Sequence, residues 1–172
     1  MIRTNRLILA PISMEHSEDL FELWSDFEVI KYTNAQLITK LSESREKITL
    51  WLEKYIDPKC PSHFAVMLDK KAIGITGFPI INHDDFQCGF YYHFARKYWG
   101  KGYGSEAAEA LLGYIFESYP NATIFADTVS VNTASIAILK KIGFIQTYIE
   151  EGVFNNNGMK LDLVHFKMER IS

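Results

Sequence analysis

Apolar positions along the chain recur with two periods, and the changes of period mark out the elements. After Ser13, a candidate N-cap with Glu15 in the first turn, Leu20, Leu23, Trp24 and Phe27 repeat at helical spacing. A second helical pattern runs through Leu41, Arg45, Ile48, Leu52, Tyr55 and Ile56 and stops at Asp57-Pro58. A third joins Ala108, Leu111, Leu112, Ile115, Phe116 and Tyr119, starts near Ser105, and is broken by Pro120-Asn121. A fourth, over residues 132–142, sets Ile136, Leu139 and Ile142 on one side before Gly143, which suits a C-terminal cap. Strand-like runs occupy residues 6–10, ended by Pro11, then 63–68, 72–81, 86–94, 124–129, 144–150 and 160–168. Asp69-Lys70-Lys71 and Asn82-His83-Asp84-Asp85 are short turns, so the three runs they join form an antiparallel meander. Gly74 and Gly77 inside one run imply a bulge or a close approach of another segment. Residues 29–40 read as a loop, and Asn155-Asn156-Asn157-Gly158 connects the last two strands. The predicted order is β-α-α-β-β-β-α-β-α-β-β, an α+β fold in which residues 1–172 form one domain.

Composition narrows the class without choosing the function. With 172 residues, 48% hydrophobic and 23% charged, the chain reads as ordinary soluble globular protein with a sizeable core. A formal charge of -3 and the lack of a basic run exclude a nucleic-acid partner. Cys60 and Cys88 have no metal or redox spacing and read as reduced thiols of a cytoplasmic protein. The five histidines form no ligand pair, so no metal is expected. The first residues lack a signal-peptide pattern, and no apolar run approaches a membrane span.

Chemistry enters at Trp99-Gly100-Lys101-Gly102-Tyr103-Gly104-Ser105, between a strand and a helix. Closely spaced glycines let backbone approach a ligand, and a helix N-terminus offers unpaired N–H groups and a positive dipole end. Together they predict an anion site, most naturally for a phosphate or pyrophosphate. The spacing does not supply the G-x-x-x-x-G-K-[ST] of a P-loop. Nor does it supply the G-x-G-x-x-G of a dinucleotide fold, which belongs in a first βα unit. A plain connecting turn is the bland alternative. The run from Asn132 to Phe144 is the other informative stretch. There Asn132 and Ser135 share a helix face, either as an N-cap and a solvated serine or as paired site residues.

These two stretches resemble the GNAT superfamily of N-acetyltransferases. Its acetyl-CoA loop, [QR]-x-x-G-x-[GA], is matched by Trp99-x-x-Gly102-x-Gly104, with Trp in the place of Gln or Arg. Its later motif, N-x-x-[AS]-x-x-L-[YL]-x-x-x-G-F, is matched from Asn132 to Phe144 with Ile138 for Leu. Many members carry a tyrosine seven residues after the Asn; here that position is Leu139. The N-x-x-S form, the run Tyr-Trp-Gly-Lys-Gly-Tyr and the opening Thr4-Asn5-Arg6-Leu7-Ile8-Leu9 are similar to the RimJ/RimL-like branch. The resemblance spans residues 3–168.

The resemblance implies transfer of an acetyl group from acetyl-CoA to a primary amine, without a metal or an acetyl-enzyme. Backbone near Tyr92 and Phe94 would line the pantetheine and thioester. Trp99, Gly100, Lys101, Gly102, Tyr103, Gly104 and Ser105 would hold the pyrophosphate, Asn132 and Ser135 would line the same site, and Ser135 would assist the leaving thiolate. The strands flanking the glycine-loop helix would splay apart to admit CoA. The acceptor would lie against residues 29–36 and 152–158, with Glu28, Glu150 and Glu151 able to make that region acidic. Deprotonating the acceptor at pH 7 costs about 1 kcal/mol for an α-amine and roughly 4.6 for a lysine, a weak preference for a protein N-terminus. Antibiotics, polyamines and other small amines remain open as acceptors, as does a degenerate fold that binds CoA without turnover. The general base is open among Glu150, Glu151, His93, Asp84 and water.

Overall fold

Two five-stranded sheets divide the chain, and the same stretch of polypeptide crosses between them twice. The computed structural model describes residues 1–54, 61–156 and 158–170. The strands are β1 (Ile2–Arg3), β2 (Ile8–Pro11), β3 (His63–Leu68), β4 (Lys71–Gly77), β5 (Ile80–Asn82), β6 (Gln87–Gly89), β7 (Tyr91–Phe94), β8 (Thr123–Val129), β9 (Ile145–Asn156) and β10 (Met159–Glu169). The helices are α1 (Ser17–Trp24), α2 (Phe27–Ile30), α3 (Leu41–Lys54), α4 (Tyr103–Ser118) and α5 (Thr133–Lys141). One sheet has the order β1-β2-β3-β4-β7 and the other β5-β6-β8-β10-β9. The class is α+β. Among the described residues no helix is long and apolar enough to cross a membrane.

The first sheet is covered on both faces. Phe64, Val66 and Ile73 pack with Ala108, Leu111 and Ile115 of α4. Ala65, Ala72 and Ile75 pack with Leu20, Trp24 and Ile48 of α1 and α3. Burial on both faces is why β3 and β4 read as continuous apolar runs rather than as alternation. Ile73 and Ile75 face opposite cores although two positions apart, because the β3–β4 register shifts between Val66 and Met67. Such a bulge flips the inward set. Gly77 shows the close approach expected of it: a Cβ there would lie 2.6 Å from the Ser62 carbonyl oxygen and 2.7 Å from the Tyr91 ring.

Several expected elements are corrected. The first run is Ile8–Pro11, preceded by a short β1 and paired with it at Ile2↔Leu9. Pro11 ends β2 from inside the strand, where no further ladder donor is required. Ser13 precedes a 3-10 turn, Met14–His16, that leads into α1. Phe27 is 43% exposed and begins α2, so it lies off the buried stripe of Leu20, Leu23 and Trp24. Residues 27–30 are therefore helical where a loop was expected from 29. The run 72–81 splits at Phe78-Pro79, where Pro79 lacks an N–H and Phe78 is fully buried. The run 86–94 splits at Phe90. The last hairpin is longer toward its turn than expected: β9 starts one residue later, at Ile145, but runs on to Asn156, so Asn155 and Asn156 belong to the strand rather than to the loop. Tyr55, Ile56, Asp57-Pro58, Cys60 and Asn157 lie outside the described residues.

The split at Phe90 creates the site. β6 runs parallel to β8, pairing Gln87↔Thr123, Cys88↔Ile124 and Gly89↔Phe125. One residue later the chain leaves that sheet, and β7 pairs with β4 instead, from Gly77↔Tyr91 to Gly74↔Phe94. β8 continues through Ala126–Val129 with β10 on one side and, among the described residues, no strand on the other. Two strand edges therefore diverge from Phe90, each with backbone donors and acceptors that no strand uses.

Candidate active site

Between the diverging edges lies a cleft of ≈ 560 Å³. Tyr92, Phe94, Trp99, Gly100, Gly102, Tyr103, Gly104, Ser105, Asn132 and Ser135 all line it, so residues from two distant sequence motifs meet there. Lys101 does not line it. Its backbone carbonyl accepts from Arg6 Nη1 at 3.0 Å, and its ammonium lies 5.6 Å from the Tyr98 ring centroid.

The glycine loop is built from three different requirements. Gly100 and Gly102 have φ of 71° and 80°, left-handed values that a side chain rarely adopts. Gly102 is the N-cap of α4, so the first-turn amides at Tyr103, Gly104 and Ser105 have no intrahelical acceptor. Gly104 is already helical; a Cβ there would sit 3.2 Å from the Ile138 side chain of α5. Its small size serves the approach of two helices rather than loop conformation. The helix thus begins two residues before the expected Ser105. Trp99, standing where the family has Gln or Arg, donates its indole N–H to the Phe94 carbonyl oxygen at 2.7 Å and braces the loop against β7.

The opening Thr4-Asn5-Arg6 is tied to this loop. Glu106, in the first turn of α4, accepts from the Thr4 hydroxyl, the Arg6 backbone N–H at 2.9 Å and Arg6 Nε at 2.7 Å. The Arg6 guanidinium also stacks 4.5 Å from the Tyr103 ring centroid. Burial raises the Glu106 pKa, but the hydrogen bonds from Thr4 and Arg6 and the Arg6 charge outweigh it and hold the carboxylate low.

Across the cleft, Asn132 caps α5, its side chain accepting from the Ser135 N–H at 3.3 Å. The Ser135 hydroxyl lies 3.1 Å from the Tyr92 hydroxyl, which reaches over from β7. Burial pushes the Tyr92 pKa up to about 12, although the hydrogen bond to Ser135 pulls it down. Leu139, at the family's tyrosine position, is core, 2% exposed. Sequence reasoning missed that a tyrosine reaches the same region from another strand. The signal was the alternation in β7, where Tyr92 and Phe94 belong to one core and Tyr91 to the other.

A second cavity of ≈ 680 Å³ shares Tyr32, Thr33, Phe90, Tyr91, His93, Asp127 and Thr128 with the first. It extends to Asn34, Ala35, Trp24, Lys47 and Trp51 on one side and to Glu150, Val153 and Phe154 on the other. Parts of both expected acceptor segments, 29–36 and 152–158, meet here. Glu28 lines the first cavity and is paired with Lys31 at 2.7 Å. Asp127 was not singled out from sequence; nothing about an isolated strand aspartate marks it.

The base candidates separate. Asp84 lies in the exposed β5–β6 turn and lines neither cavity. Glu151 is exposed and also lines neither. Glu150 lines the second cavity with its carboxylate 2.8 Å from His165 Nε2. His93 lines both; burial, with a smaller contribution from the Lys47 charge, pushes its pKa down to about 4, so it is neutral at pH 7. Its Nδ1 is buried without a hydrogen-bond partner among the described residues. Cys88 is fully buried in the core, with its thiol pushed up to about 12 by burial, which leaves it no nucleophilic character.

A family model described as an acetyltransferase (GNAT) domain matches residues 6–145. The uncharacterized N-acetyltransferase p20 of Bacillus licheniformis is 29% identical over 167 residues, 96% of this chain and 93% of that protein. The RimL ribosomal L7/L12 α-N-protein acetyltransferase in complex with coenzyme A has the same fold. It gives a TM-score of 0.84 at 16% identity over 96% of this chain and 95% of that one. The spermidine N-acetyltransferase of Vibrio cholerae, in complex with CoA and spermine, gives a TM-score of 0.85 at 17% identity over 96% of each chain. With motifs, topology and family model in agreement, this chain belongs to the GNAT acetyltransferase family and is an acyl-CoA-dependent N-acetyltransferase.

Proposed function

We propose that the protein transfers the acetyl group of acetyl-CoA to a primary amine by direct attack of the neutral amine on the thioester carbonyl, in the manner of the RimJ/RimL-like branch. The observation that carries this reading is the cleft between the free edges of β7 and β8, with the Gly102-capped end of α4 beside it. The first-turn amides of α4 suit a pyrophosphate, and the edge of β7 suits the amide groups of pantetheine, which pair as a strand would. Attack forms the C–N bond and breaks the C–S bond. The amine loses its proton and the thiolate gains one. Ser135, hydrogen-bonded to Tyr92, is a donor that α5 brings to the cleft. The inert state of Cys88 supports direct transfer over an acetyl-enzyme.

The N-terminal α-amine of a protein is the first candidate acceptor, because it deprotonates more cheaply than lysine and because one solved structure of this fold is a ribosomal-protein acetyltransferase. A small amine is the second, supported by the aromatic-walled second cavity. A reducing, cytoplasmic setting suits a buried thiol and a CoA-consuming reaction. The test is release of free CoA from acetyl-CoA across peptides, polyamines and aminoglycosides, with calorimetric titration of acetyl-CoA. Gly102→Val forces a β-branched residue into a left-handed position 3.3 Å from Arg6 Nη2 and is expected to lower acetyl-CoA affinity at least tenfold. Unchanged affinity in a folded variant overturns the loop assignment.

A further inference from the structure

The second cavity holds a cation that has no counter-ion among the described residues. Lys47 projects from α3 into it, half-buried, with its ammonium 4.5 Å from the Trp24 ring centroid and 5.5 Å from that of Trp51. The two rings fix the ammonium but carry no net charge. Among the described residues no carboxylate pairs with Lys47, and its pKa is lowered by burial alone, with no opposing acid. By contrast, the more exposed Arg6 and Lys71 are paired, Arg6 with Glu106 and Lys71 with Asp19 and Glu22. Among the described residues, the neighbouring His93 has a buried Nδ1 without a hydrogen-bond partner.

The same cavity also carries an opposite charge. Asp127 is shared by both cavities and therefore lies where the acceptor side meets the acetyl-CoA side, whereas Lys47 lines the acceptor side alone. An acceptor lying across the cavity would set its amine toward Asp127 and the thioester, and an anionic group toward Lys47. A single ammonium balances a monoanion, which matches a carboxylate. Trp24, Trp51, Phe90 and Phe154 supply apolar surface in the same cavity. We infer that the acceptor is a primary amine that also carries a carboxylate, and that Lys47 binds that carboxylate. The chemistry is met by a free amino acid or by an acidic residue at a peptide N-terminus. The inference rests on the acetyltransferase reading above and narrows its acceptor.

Matched ligands test it by calorimetry, in protein free of CoA. One pair is phenylalanine and phenethylamine, a second is lysine and cadaverine, and a third is the amidated tripeptides Glu-Ala-Ala and Gln-Ala-Ala. A charge-assisted bond to a half-buried ammonium predicts that the carboxylated member of at least one pair binds on the order of 10- to 100-fold more tightly. A preference in the first two pairs identifies a free amino acid, and one confined to the third identifies a peptide terminus. Lys47→Met is expected to erase the preference and Lys47→Arg to keep it, both variants being checked for an intact fold by circular dichroism. Equal or weaker binding of every carboxylated member overturns the inference. So does a preference that survives in Lys47→Met. Titration of acetyl-CoA into the same samples separates the two readings: absence of acetyl-CoA binding defeats the proposed function, whereas its presence without carboxylate selectivity defeats only the role of Lys47.

Discussion

Ser135 and Tyr92 concentrate the chemistry of the cleft in one hydrogen bond of 3.1 Å. A serine hydroxyl is a poor acid, and Tyr92 is made a poorer one by burial. Neither ionises at neutral pH, so in the proposed reaction the pair would act by donating to the developing thiolate. A thiol pKa near 8.5 makes that thiolate a fair leaving group and limits how much a donor contributes. Ser135→Ala is expected to lower kcat about 10²-fold, the lower end for a positioned proton donor, with acetyl-CoA affinity little changed. Tyr92→Phe leaves the serine in place and is expected to cost about tenfold. Single-turnover kinetics with an established acceptor is the measurement. A Ser135→Ala rate within twofold of wild type removes the serine from the reaction and leaves water as the donor.

The N-terminal segment and α4 form a second unit, joined far from any sequence proximity. Glu106 in the first turn of α4 suits the positive end of the helix, yet it places a carboxylate beside a loop suited to a pyrophosphate. Arg6 cancels that charge, and through the Lys101 carbonyl it also fixes the loop. Arg6→Met is therefore expected to weaken acetyl-CoA binding about tenfold. The side chain is 46% exposed, so the loss of stability should stay within about 1 kcal/mol. Calorimetry and thermal unfolding separate the two effects: a lower Tm with unchanged affinity reduces Arg6 to a structural clamp.

The whole molecule carries its pH response in histidines buried beside the first sheet. Burial lowers the pKa of His63 to about 4, and that of His93 to about 4 with help from Lys47. His16 is lowered by burial as well. In the unfolded chain these groups take up protons near pH 6.5. Between pH 6.5 and 4 the unfolded state therefore binds more protons than the folded state, and stability falls as pH falls through that window. Above it these groups contribute no slope. Carboxylates held low by their partners, such as Glu22 and Glu106, add their loss only below the ordinary carboxylate range. Thermal unfolding from pH 7.5 to 4.5 should show a falling Tm that is flattened in His63→Gln/His93→Gln. A Tm independent of pH across that range overturns the account.

Features with a local cause were legible in the chain. A glycine at a left-handed position, an Asn that caps a helix, a proline that denies an N–H and an apolar stripe of period 3.6 each act within a few residues, so the glycine loop, α4, α5 and β3 could be read directly. Pro79 gave a local signal for the first split, but the split at Phe90 could not be placed, because its two halves read as one extended run. Which sheet receives each half depends on partners elsewhere: β8 for Gly89, β4 for Tyr91. The same limit hid Tyr92 beside Ser135, Arg6 on Glu106, and Lys47 on the same cavity as Asp127. These pairs are 43, 100 and 80 positions apart, and no periodicity links them. Their proximity comes from long-range strand pairing and helix packing, which short-range backbone preferences do not encode.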